Sequence, residues 1–574
     1  MTGRSLYLGL SLVLAAAALA GNASRMTADA TDPAKSRSSA AFMAAAPNIA
    51  RMEQVIRSFV AKKEFMGTVL VARGDHVLLS KGYGFANLEW HISNTPDTKF
   101  RIGSMTKQFT AASILVLQER GKLNVHDLLK KYLPDEPPAW DKITIFNLLT
   151  HTSGIPNYTA LPDFASEMRV PETPLEIIAH VRDKPLDFAA GTQWRYSNSG
   201  YIVLGYVIEK VSGVPYAQFV QQNIFGPLGM KDSGYDSNSK IIEHRAAGYV
   251  SGPGGFLNAP YIDMSVPFAA GGLYSTTRDL LRWEQSLFGG KVLSPASLEQ
   301  MITPFREDYA FGLNVRHVGD ERVIEHGGGI NGFNTDLAYY PRSGTTVVVL
   351  GNVNGRAPAQ IAAYLGTLAE GKPVELPAER RAVHVDEATL ARYVGDYKLT
   401  PTFLINVTRE GDHLFNQATG QGRFEIFPSS DKEFFAKVVD AQITFVVDAS
   451  TGRTTALILH QDGRDQRAER VEGTAAALAP KEHKEVQVDT QIFAKYVGTY
   501  ELAPGFSIAI TREGDRLFEQ ATNQGRVEIY PESEKDYFLK VVDAQITFVT
   551  DSNGVVTGLI LHQGGRDQTG KRIQ

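Results

Sequence analysis

The chain has 574 residues, 43% hydrophobic and 21% charged, which suits a soluble globular protein of more than one domain. A formal net charge of −5 lacks the basic excess of a nucleic-acid binder. The absence of cysteine excludes a disulfide framework and a lipid-modified cysteine, so the chain must rely on its cores alone.

In chain order, Arg4 precedes the apolar run "LYLGLSLVLAAAALA", and the small residues at 18–20 fit a cleavage site before Gly21. Residues 1–20 therefore read as a secretory signal peptide, with an uncleaved anchor as the alternative. A secreted chain without disulfides matches a bacterial periplasm or medium better than a eukaryotic surface. No second long apolar run follows, so no membrane span is expected after cleavage. Residues 21–46, rich in Ala, Ser and Thr, read as a flexible leader. "IARMEQVIRSFVAKKEF" (49–65) predicts an amphipathic helix, and the next run predicts a β-hairpin turning at Gly74-Asp75.

"FRIGSMTKQFTAASILVLQERGKL" comes next, with apolar residues at helical spacing from Ser104 and Gly121 at its end. Positions i and i+3 share a helix face, so Ser104 and Lys107 are predicted to meet at the helix start. Burial and the helix dipole would lower the lysine pKa, and a neutral lysine activates a serine hydroxyl. Alone, S-x-x-K reads as an N-cap serine followed by a surface lysine. "LLTHTSGIPNY" (148–158) contains His151, an imaginable general base, although Thr, Ser and Gly there already spell a turn. "WRYSNSGY" places Tyr196 and Asn198 in a polar loop. From Tyr309 the pattern returns to strands, one pair turning at Gly319-Asp320. "EHGGGINGF" sets His326 at a strand end before three glycines, which let a substrate lie against the backbone, or else form a flexible hairpin end. "RAPAQIAAYLGTLAEG" (356–371) closes with a helix. Strands from both chain ends around a helical middle predict an α+β fold, one antiparallel sheet with helices over its faces.

The tail repeats itself: "ARYVGDY" returns as "AKYVGTY", and "TREGD" and "DAQITFV" recur at an offset of 103. Each copy alternates short strands with Gly/Asp turns, which predicts two small all-β, barrel-like domains. The expected organisation is 1–20 signal peptide, 21–46 leader, 47–372 main domain, 385–472 first repeat, 473–487 linker and 488–574 second repeat. His460 and His562 with nearby Asp suggest a metal, but "HQDGRDQ" and "HQGGRDQ" read more simply as strand ends with turns.

Ser104-Met-Thr-Lys107, then Tyr196-Ser-Asn198, then His326-Gly-Gly328 stand in the order and rough spacing of the penicillin-recognising serine hydrolases. The chain resembles, over about residues 47–370, the branch holding class C β-lactamases, D-Ala-D-Ala carboxypeptidases, D-aminopeptidases and related esterases. "LLTHTSG" and "GGLYSTTRDLLRW" (271–283) look like that family too. The resemblance implies a β-lactamase/transpeptidase-like fold and a Ser104 acyl-enzyme. It implies Lys107 as base, Tyr196 relaying a proton with its pKa lowered by Lys107, and Asn198 holding Lys107 and the substrate amide. The backbone N–H groups of Ser104 and Gly329 would form the oxyanion hole, with Gly328 and His326 on the substrate side. No metal or organic cofactor is implied.

Class C β-lactamases carry lysine where this chain has His326, and Gly327 stands where a hydroxyl residue is usual. Both departures shift the expectation from β-lactamase to peptidase or esterase. The leading expectation is amide cleavage in a D-amino-acid peptide, with β-lactams bound or turned over slowly. The alternatives are an esterase or β-lactamase on the same scaffold, or a non-catalytic penicillin-binding sensor. Expected partners are a small peptide, ester or β-lactam and cell-wall peptidoglycan, with no nucleic acid. The tail domains are open to three roles: capping the active site, binding cell-wall polymer, or joining subunits.

Overall fold

The structure is a computed structural model. It describes residues 48–573 apart from 134, 253–254, 401–402, 462–463, 472–484, 504–505, 522–525, 541–543, 552 and 564–565. The signal peptide, the leader and most of the 473–487 linker lie outside the described residues.

Helix α1 (Ile49–Ala61) starts where Asn48 Oδ1 accepts from the Arg51 N–H at 3.0 Å, a side-chain N-cap. It ends at Ala61, short of the expected 65, and buries Met52, Val55, Ile56 and Phe59 on one face. The hairpin β1 (Gly67–Arg73) and β2 (His76–Tyr83) follows as expected. Its sheet is completed late in the chain by β3 (Asn314–Val318), β4 (Glu321–Ile330), β5 (Phe333–Tyr340) and β6 (Thr345–Gly351). The order is β3-β4-β5-β6-β1-β2, and every pair is antiparallel. Both chain ends therefore build one sheet through the β1–β6 pairing.

Strands alternate their side chains, so the central strands here serve two cores. Val69 and Val71 of β1 and Val347 and Val349 of β6 join α1 and the helix Ala357–Ala369 on one face. Leu70, Ala72, Val348 and Leu350 point the other way, into the larger core. That core holds α2 (Thr106–Glu119) and α3 (Asn198–Ser212). Covered on both faces, β6 is buried at all seven positions, and its 347–350 stretch is a continuous apolar run.

The tail forms two closed eight-stranded barrels, with strands from Gly395 to Val471 and from Gly498 to Arg572. The repeated Ala-x-Tyr-Val-Gly-x-Tyr stretch has a structural use in each. Tyr393 stacks on Phe445 at 4.1 Å between ring centroids, and its carbonyl accepts from Tyr397 Oη at 2.7 Å. Tyr496, Phe548 and Tyr500 repeat this at 4.0 and 2.7 Å. His460 contacts Asp465 and Thr444 at 2.7 and 2.8 Å, and His562 contacts Asp567 and Thr547 at 2.7 and 3.0 Å. Both rings thus spend their nitrogens on strand neighbours.

Candidate active site

The site starts with backbone geometry. Gly103 has φ +52°, in the region that favours glycine, and turns the chain out of the short strand Phe100–Arg101. A 3₁₀ turn, Gly103–Met105, carries Ser104, and α2 begins only at Thr106, not at Ser104 as the sequence pattern suggests. Every residue of α2 from Thr106 to Leu117 is buried, so Lys107 is carried into the core. Ser104 stays partly exposed at the rim. The late motif "GGLYSTTRDLLRW" fixes the other side of this helix. Trp283 lies 4.3 Å from Phe109 between ring centroids, and its Nε1 donates to Gln108 Oε1 at 2.6 Å.

Lys107 Nζ lies 3.1 Å from Ser104 Oγ, 2.8 Å from Asn198 Oδ1 and 2.8 Å from the Ala270 carbonyl. Burial holds its pKa well below the ordinary lysine value. A neutral amine has two N–H groups and one lone pair. It can donate to Asn198 and Ala270 and turn the lone pair to the Ser104 hydroxyl, which is the arrangement of a general base. Tyr196 Oη donates to Ser104 Oγ at 2.8 Å from the other side.

The tyrosine corrects one expectation. Its pKa is raised by burial, with the Ser104 hydrogen bond pulling only partly the other way. No lowering by Lys107 offsets the burial. The two groups therefore diverge: lysine pushed towards the basic form, phenol held as an acid.

Asn198 is the first residue of α3. Its N–H donates to Asn157 Oδ1 at 3.0 Å and its Nδ2 donates to Thr159 Oγ1 at 3.2 Å. Its oxygen thus faces Lys107, while one N–H of its amide goes to Thr159. His151 is buried with φ +56°, and its Nδ1 accepts from the Ser197 N–H at 3.3 Å. Its ring lies 4.3 Å from that of Tyr196. Burial, Lys107 and His326 all hold its pKa down. His151 supports the Tyr-Ser-Asn loop as a neutral prop.

The glycine stretch leads into a hairpin, but as paired strand. Strand β4 runs on through Gly327–Gly329 to Ile330, paired with β5 throughout. On its other side β3 pairs only as far as Glu325, so beyond that residue β4 packs on the Gly103–Met105 turn instead of a strand. A Cβ on Gly328 would lie 1.9 Å from the Ile102 carbonyl oxygen, and one on Gly103 would lie 2.8 Å from Gly329 N. The glycines are what let β4 press against the Ser104 turn. Thr335 Oγ1 ties that turn down by donating to the Ile102 carbonyl at 3.0 Å. Gly329 is exposed beside Ser104's turn, where an oxyanion donor belongs.

His326 is only 4% exposed, so it supports the site from beneath. Its Nδ1 lies 2.6 Å from its neighbour Gly327 O and its Nε2 3.1 Å from Tyr309 Oη. Burial, and then the nearby Lys107, bring its pKa down to about 4. Reading the sequence did not single out Tyr309, Ala270, Asn157 or Thr159. Asn157 lies within the noted "LLTHTSGIPNY" stretch and Thr159 follows directly on it. Tyr309 and the Ala270 carbonyl carry no local signal, because only the fold brings them to the lysine and histidine.

The Beta-lactamase family pattern matches residues 52–370, and the Domain of unknown function DUF3471 matches 379–470 and 482–572. The chain is 29% identical to penicillin-binding protein 4* of Bacillus subtilis over 445 residues, 73% of this chain and 98% of that protein. It is 35% identical to PbpX of the same organism over 299 residues, 52% of this chain and 73% of that one. The octameric penicillin-binding protein homologue of Pyrococcus abyssi superposes with a TM-score of 0.54 at 28% identity, covering 74% of this chain and all of that one.

Proposed function

The chain belongs to the Beta-lactamase family and is a serine hydrolase, and from that premise we propose that it cleaves an amide bond in a D-amino-acid-containing peptide outside the cytoplasm. One observation carries the mechanism: Ser104 Oγ sits between a buried lysine nitrogen at 3.1 Å and a tyrosine hydroxyl at 2.8 Å. The Ser104 oxygen attacks the substrate carbonyl carbon as its proton passes to Lys107 Nζ. The negative oxygen of the tetrahedral intermediate takes the backbone N–H groups of Ser104 and Gly329, each such donor contributing roughly 3 kcal/mol. Tyr196 gives its proton to the leaving nitrogen, the C–N bond breaks, and the Lys107 ammonium returns a proton to the phenolate. Water then attacks the ester with Lys107 again as base, releasing the acid and restoring Ser104.

Similarity to proteins named for penicillin binding supports a substrate of the D-peptide kind, since both present an amide to the same serine. The neutral, buried His326 offers no fixed charge for a substrate carboxylate. This favours an amide with an uncharged leaving side over a free C-terminal D-Ala, and disfavours efficient β-lactamase turnover. The N-terminal apolar run and the lack of cysteine support a periplasmic or secreted location.

The test is intact-protein mass after incubation with a penicillin, run with a panel of D- and L-amino-acid amides and simple esters. The expected result is an adduct on the wild type, none on Ser104→Ala, and turnover of D-amides lost in that variant. Unchanged hydrolysis by Ser104→Ala would remove the serine mechanism. Turnover of esters alone would replace the D-peptide reading with an esterase.

A further inference from the structure

A cavity of about 590 Å³ lies away from Ser104, where the two barrels meet. Its body is the interior of the first barrel, walled by Phe403, Ile405, Phe424, Ile426 and Ile443. Its far side is supplied by Glu519, Val527 and Gln563 of the second barrel. These three are the repeat equivalents of Asn416, Phe424 and Gln461, which line the same cavity from the first barrel. The same face of each copy therefore meets across one space. Arg356, at the start of the helix Ala357–Ala369, reaches its rim.

Sequence explains the room inside the first barrel. Ala436 lines the cavity, and the second copy carries Leu539 at the matching position, packed into its core. The space is of the size that holds a drug-sized molecule, and its wall mixes aliphatic and aromatic side chains with polar ones that include Asn416, Glu519, Arg356 and Arg423. Among those groups, Asn416 Oδ1 is buried with no hydrogen-bond partner. Leaving such an acceptor unmade is costly, which points to a donor arriving from a ligand. Glu519 is 6% exposed on the opposite wall, and burial pushes its carboxyl up to about 7.

We propose that the paired barrels enclose a binding site for an amphiphile with an apolar body and an N–H-bearing head, an amine or amide, received by Asn416 and Glu519. The site is independent of the hydrolase reading, because it uses none of the residues around Ser104. Aliphatic and aromatic walls take the body. The unpartnered Asn416 oxygen selects a donor head, and Glu519 accepts from it when ionised.

The probe is N-phenyl-1-naphthylamine, an uncharged aromatic amine whose fluorescence rises in apolar surroundings, titrated into the full chain. Its hydrocarbon analogue 1-phenylnaphthalene serves as the probe without an N–H. Saturable binding of one amine molecule per chain is expected. Ala436→Leu, which installs the side chain the second barrel already accommodates, is expected to abolish binding of both probes with the circular dichroism spectrum unchanged. Asn416→Leu is expected to weaken the amine about 10-fold, the loss of one buried hydrogen bond, and to leave the hydrocarbon unaffected. Val527→Trp is expected to block the cavity from the second barrel's side. A non-saturating signal, or unchanged binding in the folded Ala436→Leu chain, overturns the proposal. Equal loss of both probes in Asn416→Leu overturns the N–H specificity. Should Asn416→Leu fail to fold, a wild-type affinity for the amine no greater than for the hydrocarbon overturns that specificity instead.

Discussion

At the scale of single residues, the reactive centre rests on one lysine kept uncharged. Burial lowers the Lys107 pKa well below its ordinary 10.5, so the base form is present at a lower pH than for a free lysine. The expected pH profile of kcat/KM therefore reaches its plateau well below about pH 10. A steady tenfold-per-unit climb towards about pH 10, the ordinary lysine range, would show the amine to be protonated at rest. His326 gives a second pH signature, in stability. Its folded value of about 4 lies below the ordinary 6.5, so the unfolded chain binds the proton first as pH falls. The stability it contributes is fully present above about 6.5 and is lost on acidification towards about 4, on the order of 3 kcal/mol in all. Asp336, which is raised by burial and by Glu325, works in the opposite direction, so wild type alone does not isolate the histidine. Urea unfolding of wild type and His326→Asn across this window is expected to show the acid-side loss shrink in the variant. An identical pH dependence would mean that the ring titrates freely. The Ser104, Lys107, Tyr196 and Asn198 set was legible because spacing and order carry it. The Tyr196 pKa was not, because its direction depends on whether the lysine beside it is charged.

At the scale of elements, β4 and the Ser104 turn are held together by the absence of side chains. The three successive glycines are not equivalent. A methyl on Gly328 would sit 1.9 Å from the Ile102 carbonyl and 2.4 Å from Thr335 Oγ1. A methyl on Gly327 would meet nothing closer than 3.4 Å, an ordinary contact. Gly328→Ala is expected to push the turn off the strand, cutting kcat at least 100-fold as oxyanion donors move out of register. Gly327→Ala is expected to keep most of the activity. Equal activity in the two variants, measured on one amide substrate, would show that the close approach at Gly328 does not position the serine. The hairpins at Gly74-Asp75 and Gly319-Asp320 were readable from alternation plus turn residues. The course of β4 was not, since glycines read locally as a strand end and only pairing with β5 keeps them extended. The start of α2 at Thr106 was hidden for a similar reason: a 3₁₀ turn carries the same apolar spacing for its few residues.

At the scale of the whole molecule, repeated sequence becomes repeated barrel, and alternation with Gly/Asp turns was enough to foresee that. What alternation cannot convey is closure or attachment, because both are set by contacts far apart in sequence. The first barrel is fastened to the hydrolase domain through Asp440, which accepts from Tyr364 Oη and, at 2.8 Å, from Arg380 Nη2. Arg51 adds a second tie, pairing with Glu379 just before the barrel begins. The Arg380 side chain is only 2% exposed, and its Nε and Nη1 have no partner. Asp440 is therefore the carboxylate that balances a buried guanidinium. Removing one partner of such a pair leaves an uncompensated buried charge, which costs roughly 3 kcal/mol or more. Asp440→Ala is expected to loosen the barrel from the hydrolase domain, while Arg380→Met with Asp440→Leu restores an apolar junction and recovers much of the loss. Limited proteolysis around residues 370–395 reads this directly, with faster cleavage in Asp440→Ala and slower cleavage in the double variant. If Asp440→Ala is cut at the wild-type rate, the junction is held elsewhere. If the double variant is cut as fast as Asp440→Ala, the aspartate acts through its own hydrogen bonds to Tyr364 and not by balancing Arg380.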